Sequence, residues 1–142
     1  MSVHLRLNLP SDPRFLSLVR AALGEIGAIY GLPNDECLEI TLAVDEALAN
    51  IIRHAYRNRY DQEIEFECLV KGEQIEFTFL DRGEPPDPAR ICKPMDQLAL
   101  SGRGTHLIKA IMDQVSYTRV ASGNQLKLVK RLPGIKARED GE

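Results

Sequence analysis

From Val3 the chain alternates: Val3, Leu5, Leu7 and Leu9 are apolar, while His4, Arg6 and Asn8 are polar. A period of two is expected of a strand with one buried face. Pro10 ends the run, and Ser11 or Asp12 can cap a helix. In that helix Phe15, Leu16, Val19, Leu23 and Ile26 recur at three- and four-residue spacing to about Tyr30, where Gly31-Leu32-Pro33 breaks the pattern. Asn34 or Asp35 is the expected cap of a longer helix reaching about Asn58. Ile64, Phe66, Cys68 and Val70 alternate next. A glycine turn falls between Lys71 and Gln74, and Ile75, Phe77 and Phe79 alternate again, which predicts an antiparallel hairpin. From Gly83 to Leu100 no period survives, and the four prolines there mark a long functional or disordered loop. A helix from about Gly104 to Asp113 follows. Strands near Val115 to Ala121 and Gln125 to Leu132 are then joined by the turn Ser122-Gly123-Asn124.

This order predicts an α+β fold: a two-layer sandwich with helices packed on one face of a mixed, mostly antiparallel sheet. The 142 residues form one domain, with 133–142 read as a tail. A domain of this size buries about 68% of the surface its unfolded chain exposes, so a true core is available.

Charge narrows the function classes. The 18 Lys and Arg against 21 Asp and Glu leave a net charge of -3, with no polybasic patch for nucleic acid or an anionic membrane. The three cysteines, Cys37, Cys68 and Cys92, are odd in number and lack CxxC spacing, as suits reduced thiols rather than a disulfide framework or zinc site. No run of about 18 apolar residues is present. Together these features predict a cytoplasmic protein.

Three segments carry candidate chemistry. On a wheel of about 100° per residue, Cys37, Ile40, Val44, Leu48, Ile51 and Ala55 of the second helix share one stripe roughly 80° wide, the expected core face. Glu46, Asn50, Arg53, His54 and Arg57 fall opposite, with Glu46, Asn50 and His54 spaced one turn apart. These could form a solvated face. However, Leu42, Ala43, Ala47 and Ala49 flank Glu46 and Asn50, which favours a half-buried pair. The second segment is LDRG, Leu80 to Gly83, closing the Phe77–Phe79 strand; its Asp81 could simply begin a turn. The third is SGRGTHLI, Ser101 to Ile108. Its glycines could be a hinge, or could let a helix start approach a phosphate with free N–H groups.

In this order the three segments resemble the N, G1 and G2 boxes of the GHKL ATPases. DEALANIIRHAY, LDRG and SGRGTHLIKAIMDQV are most similar to the small bacterial anti-sigma factor serine kinases, and the likeness runs from roughly residue 5 to 132. The resemblance implies a Bergerat-type ATP-binding fold and ATP with Mg²⁺ as ligands. Asn50 would supply the metal-directed oxygen, and Glu46 would be the catalytic base taking a proton from a substrate hydroxyl. His54 would either face the phosphates or line the pocket edge. Asp81 would read the exocyclic amine of adenine, and Gly83 would let the backbone pass close to the ring. Gly102, Gly104 and Thr105 would cradle phosphates beneath a lid formed by the proline-broken loop. One feature departs from the family, which usually places a basic residue where this chain has Leu100. Arg103, Arg90 or Lys93 could supply that charge instead. As implied function, the chain sequesters a sigma factor and phosphorylates a STAS-type antagonist, as a homodimer. The alternative is a non-catalytic, ATP-dependent binding module.

Overall fold

The computed structural model describes residues 3–85 and 103–135, leaving aside the side chains of residues 103–105. Strand β1 (Val3–Pro10) leads through a short 3-10 turn (Pro13–Phe15) into α1 (Leu16–Tyr30), and α2 (Asn34–Asn50) follows. The hairpin β2 (Glu63–Lys71) and β3 (Gln74–Asp81) comes next, then α3 (Arg103–Ile111), β4 (Gln114–Val120) and β5 (Gly123–Arg131). The strands form one five-stranded sheet in the order β1-β2-β3-β5-β4. Every described pairing is antiparallel, so the mixed, mostly antiparallel sheet expected from the sequence is corrected to an antiparallel one among the described strands.

The period-two runs settle the faces. Phe66, Cys68 and Val70 of β2 face Phe79, Phe77 and Ile75 of β3 across the ladder, and Ile64 faces Leu9 of β1, all buried under the helices. Phe66 lies against Phe77 and Phe79, with ring centroids 6.1 and 5.4 Å apart. The opposite face is polar, with cross-strand pairs such as Arg6–Glu67 at 3.0 Å and Lys127–Glu76 at 3.5 Å. Cys68 fills core, and burial pushes its thiol up to about 12. Cys37 is half-buried, its Sγ lying 2.6 Å from where a Cβ on Gly27 would stand.

The caps differ in part from the sequence reading. Asp12 caps the 3-10 turn Pro13–Phe15 and not α1, accepting from the Arg14 amide at 2.9 Å, and α1 itself starts behind Phe15 without a side-chain cap. Ser11 instead locks the chain: its hydroxyl donates to the Arg59 carbonyl and accepts from the Gln62 amide at 3.0 Å. Neither Asn34 nor Asp35 caps α2. Pro33 holds that position without a side-chain bond, and Asp35 and Glu36 in the first turn complement the positive helix end. The final hairpin turns at Ala121-Ser122, so Gly123 and Asn124 already belong to β5. Residues Pro133 to Ile135 fold back, with Ile135 packed against the core. Residues 136–142 of the expected tail lie outside the described residues.

The largest departure is at the end of α2, which does not run as an α-helix to Asn58. From Ile51 to Ala55 it widens into a π-helical turn, with the Tyr56 amide donating to the Ile51 carbonyl at 3.0 Å. Arg57 and Asn58, at φ 50° and 61°, then end it. A regular 3.6-residue wheel would turn Ile52 and Tyr56 away from the core stripe. The wider turn brings Ile51, Ile52, Ala55 and Tyr56 inward together, and all four are buried.

Candidate functional site

Helix α2 and its π-turn pack between α1 and α3 over the sheet and present the polar side chains at one end of β3. Ala43 and Ala47 are fully buried, while Glu46 and Asn50 are half-buried, as the small neighbours suggested. The Glu46 side chain keeps 30% of its exposure. Arg53, one turn beyond Asn50, engages both: its Nη2 donates to Asn50 Oδ1 at 2.7 Å and lies 3.7 Å from Glu46 Oε2. His54 stands on the exposed side of the π-turn. The oxygens proposed for metal and proton are therefore accessible and already hold a cation between them.

Asp81 is not a solvent-facing turn residue. It is 5% exposed, in phase with Phe77 and Phe79 on the helix-covered face. Its Oδ1 accepts from the Gly83 amide at 2.9 Å and from Asn124 Nδ2 at 2.8 Å. Oδ2 accepts no bond among the described residues, so within them one oxygen is anchored and the other is not. Burial raises the carboxyl above its ordinary range, and the bonds from Asn124 and Gly83 and the Arg119 charge oppose that rise.

Two glycines make this geometry possible, for reasons invisible in the motif. A Cβ on Gly83 would stand 2.3 Å from the Ala55 carbonyl oxygen, the same oxygen that accepts the Glu84 amide at 2.8 Å. The end of β3 thus docks directly on the π-turn. Gly123 takes φ +149° and would place a Cβ 2.0 Å from the Asp81 carbonyl oxygen. Tyr56 reinforces the junction: its hydroxyl donates to the Glu63 carbonyl at 2.5 Å and accepts from the Arg82 amide at 2.8 Å. Because a Gly83→Ala Cβ must displace backbone rather than a flexible side chain, it should destabilise the fold by roughly 1–3 kcal/mol. A thermal melt beside the parent checks this, and an unchanged melting temperature would contradict the docking role.

Helix α3 begins at Arg103, so Gly104 and Thr105 lie in its first turn, where backbone N–H groups lack helical partners. The side chains of Arg103 and Thr105 are outside the described ones. Gly102, Arg90, Lys93 and the loop read as a lid (but for Glu84 and Pro85) also fall outside the described residues. The other end of α3 is secured. Lys130 Nζ donates to the Ile111 carbonyl at 3.0 Å, and Asp113 Oδ2 accepts from the Arg131 amide at 2.6 Å.

Asn124 and Arg119 were not singled out by sequence, yet both join the site. Asn124, 3% exposed, donates from Nδ2 to Asp81 and also toward the carbonyls of Gly83 and Glu84 at 3.1 and 3.2 Å. The available signal was phase: Asn124 alternates with the buried Leu126 and Leu128. Among the described residues no cluster of three or more His, Cys, Asp or Glu could hold a metal. A site that lends a single amide oxygen suits Mg²⁺, which retains waters and takes phosphate oxygens, better than a metal needing a protein cage. No helix among the described residues is long and apolar enough to cross a membrane.

Residues 9–130 match the family described as a histidine kinase-like ATPase domain. Among curated proteins, the chain is similar to the serine-protein kinase RsbW of Bacillus velezensis, 26% identical over 92% of this chain and 87% of that one. It is also similar to the serine-protein kinase RsbW of Listeria monocytogenes, 28% identical over 78% and 76%. Among solved structures it resembles the RsbU and RsbW domains of Rv1364c from Mycobacterium tuberculosis, with TM-score 0.67 and 20% identity. That match covers 92% of this chain and 32% of the other. The SiaB–SiaC complex from Pseudomonas aeruginosa gives TM-score 0.69 at 13% identity, covering 89% and 87%. At such identities the two structures speak for the fold.

Proposed function

The chain belongs to the histidine kinase-like ATPase family, and from that premise we propose that it is an ATP-binding anti-sigma factor. It sequesters a sigma factor and, as a protein serine/threonine kinase, phosphorylates a STAS-type antagonist. The observation that carries this reading is the docking of the Asp81–Gly83 strand end on the turn that continues from Asn50. It seats the strand end that carries Asp81 against the turn that follows the helix carrying Asn50, and we read Asp81 as the acceptor for the adenine amine and Asn50 as the oxygen for a metal. The name serine-protein kinase carried by the curated relatives supports the kinase assignment, and the anti-sigma assignment rests on the resemblance of the three boxes. Cytoplasmic location and pairing of two copies belong to the same reading.

Each residue then has a task. Asp81 Oδ2 accepts the exocyclic amine of adenine. By the family resemblance Gly102, Gly104 and Thr105 serve the phosphates, with Gly104 and Thr105 in the first turn of α3, and Arg103 and His54 are assigned to the same end. Asn50 would hold Mg²⁺, which neutralises the phosphate charge when bound. Arg53 must release the Asn50 oxygen for that to happen. Glu46 takes the proton of the substrate serine as its oxygen forms the new bond to the γ-phosphorus and the bond to the ADP oxygen breaks.

Mg-ATP should raise the melting temperature, since a ligand at about 100 times its Kd stabilises the native state by about 2.7 kcal/mol. Asn50→Ala should remove most of the Mg²⁺-dependent part of that shift. Labelled ATP with a candidate STAS protein tests the kinase itself. Labelled antagonist supports the proposal, whereas nucleotide binding with no transfer favours a non-catalytic module that ATP only shapes.

A further inference from the structure

The cross-strand row Asp81–Asn124–Arg119 runs from β3 through β5 to the edge strand β4, one row beyond Phe79–Leu126–Tyr117. Residues paired directly across an antiparallel ladder share a face, so all three project toward the helices. Arg119 Nη1 donates to Asn124 Oδ1 at 3.2 Å, and Asn124 Nδ2 donates to Asp81 Oδ1 at 2.8 Å. This chain of donors fixes the orientation of the amide. Arginine has only N–H groups to offer, so the Asn124 oxygen must face it and the nitrogen must face the acceptors. Asn124 Nδ2 then has three oxygens within reach, those of Asp81, Gly83 and Glu84, and so holds both the carboxylate and the loop after it.

We propose that Arg119 and Asn124 are positioning residues that set the specificity of this site: Arg119 orients Asn124, and Asn124 anchors Asp81 Oδ1 so that Oδ2 is presented as an acceptor. The inference rests on the reading of Asp81 as the group that recognises adenine. A purine with an exocyclic amine, a donor, matches such an oxygen. One with a carbonyl at that position meets a second acceptor and is rejected. Asn124 cannot rotate to relax this choice without losing Arg119 on one side and the three oxygens on the other. The relay also acts through charge, because Arg119 is the cation that opposes the effect of burial on Asp81. Among the described residues, the other titratable groups facing Asp81 are Tyr117 from β4 and Tyr56 from the π-turn. Burial and the Asp81 charge hold both phenols above their ordinary range. Arg82 and Glu84 follow Asp81 in the chain, and Glu84 is paired with Arg57 at 2.9 Å.

Arg119 is exposed, so Arg119→Met should fold. In the full chain without nucleotide, the Asp81 carboxyl carbon, followed by NMR, should titrate at higher pH in Arg119→Met than in the parent. Affinity for ATP at neutral pH should fall on the order of fivefold, as for a residue acting through one intervening hydrogen bond. Affinity should also be lost at a higher pH on acidification, because a proton on Oδ2 turns that acceptor into a donor. Arg119→Lys, which keeps the cation, should restore part of both effects. A merely structural Arg119 would lower the melting temperature and leave the titration in place. Arg119→Met with the parent's carboxyl titration and ATP affinity overturns the proposal, as does a moved titration with the parent's ATP-over-GTP preference and affinity intact. A parent that binds no adenine nucleotide overturns the proposed function instead, and the carboxyl titration still decides whether Arg119 governs Asp81.

Discussion

Asp81→Asn is expected to leave the protein folded and at least as heat-stable as the parent, while lowering affinity for ATP roughly 10- to 100-fold, the scale of a lost charge-assisted hydrogen bond. The asymmetry follows from the two oxygens. An asparagine can keep its Oδ1 toward Asn124 and Gly83 and so preserve both anchoring bonds. What changes is the other atom, which becomes an NH₂ facing the adenine amine, donor against donor. Discrimination of ATP from GTP should collapse with it. Stability moves the other way because burial is the leading influence on Asp81 and raises its pKa. The folded state therefore binds the proton more tightly than the unfolded chain. The contribution of Asp81 to stability declines as pH rises from the ordinary carboxylate pKa through the raised one. Asparagine has no such decline, so the stability of the variant relative to the parent should grow from acid to neutral pH. Thermal melts across that range, beside ATP and GTP titrations, check both halves. A variant less stable at neutral pH than in acid, relative to the parent, would contradict the account of Asp81. The parent is in effect less stable than it could be at the position where it recognises its ligand.

Glu46→Gln should bind ATP within a few-fold of the parent yet transfer phosphate on the order of 10²- to 10⁴-fold more slowly, the range a positioned base contributes. Glu46 is half-buried, next to the small Ala47 and a turn from Asn50, and its nearest cation among the described residues is Arg53 at 3.7 Å. That separation exceeds a hydrogen bond, and the Arg53 guanidinium instead bonds to Asn50 Oδ1 at 2.7 Å. The carboxylate is thus oriented near a positive charge without being consumed by it. If Glu46 served only to hold Arg53, its amide should weaken nucleotide or sigma binding and scale activity down in proportion. Single-turnover transfer to an antagonist at saturating ATP, with ATP affinity and sigma capture measured on the same variant, separates the two roles. Transfer within a few-fold of the parent would remove Glu46 from the chemistry.

Much of the architecture was legible because short-range periodicity reports burial directly. Val3 to Leu9, Ile64 to Val70 and Ile75 to Phe79 alternate because one face of each strand is covered, and the structure covers those faces. The core stripe of α2 from Ile40 to Ala55 was readable for the same reason. Asp81 shows where such reading thins out: in sequence it is a turn carboxylate before a glycine, and its meaning depends on lying in phase with Phe77 and Phe79. Asn124 carried the same phase signal. Nothing local said that its partner would be 43 residues away, because α3 and β4 lie between β3 and β5 in the chain.

The sequence by itself determined which faces are apolar, the order of elements and the residue types of the three boxes, since these depend on neighbours within a turn or a pleat. Only the tertiary structure decided the rest. The π-turn at Ile51–Ala55 exists because Ile52 and Tyr56 gain burial that a regular helix would deny them. Gly83 is required by the Ala55 carbonyl, and Gly123 by that of Asp81. The state of Asp81 is set by an asparagine and an arginine on two other strands, because charge and hydrogen bonding act across space, between residues that only the folded sheet makes neighbours.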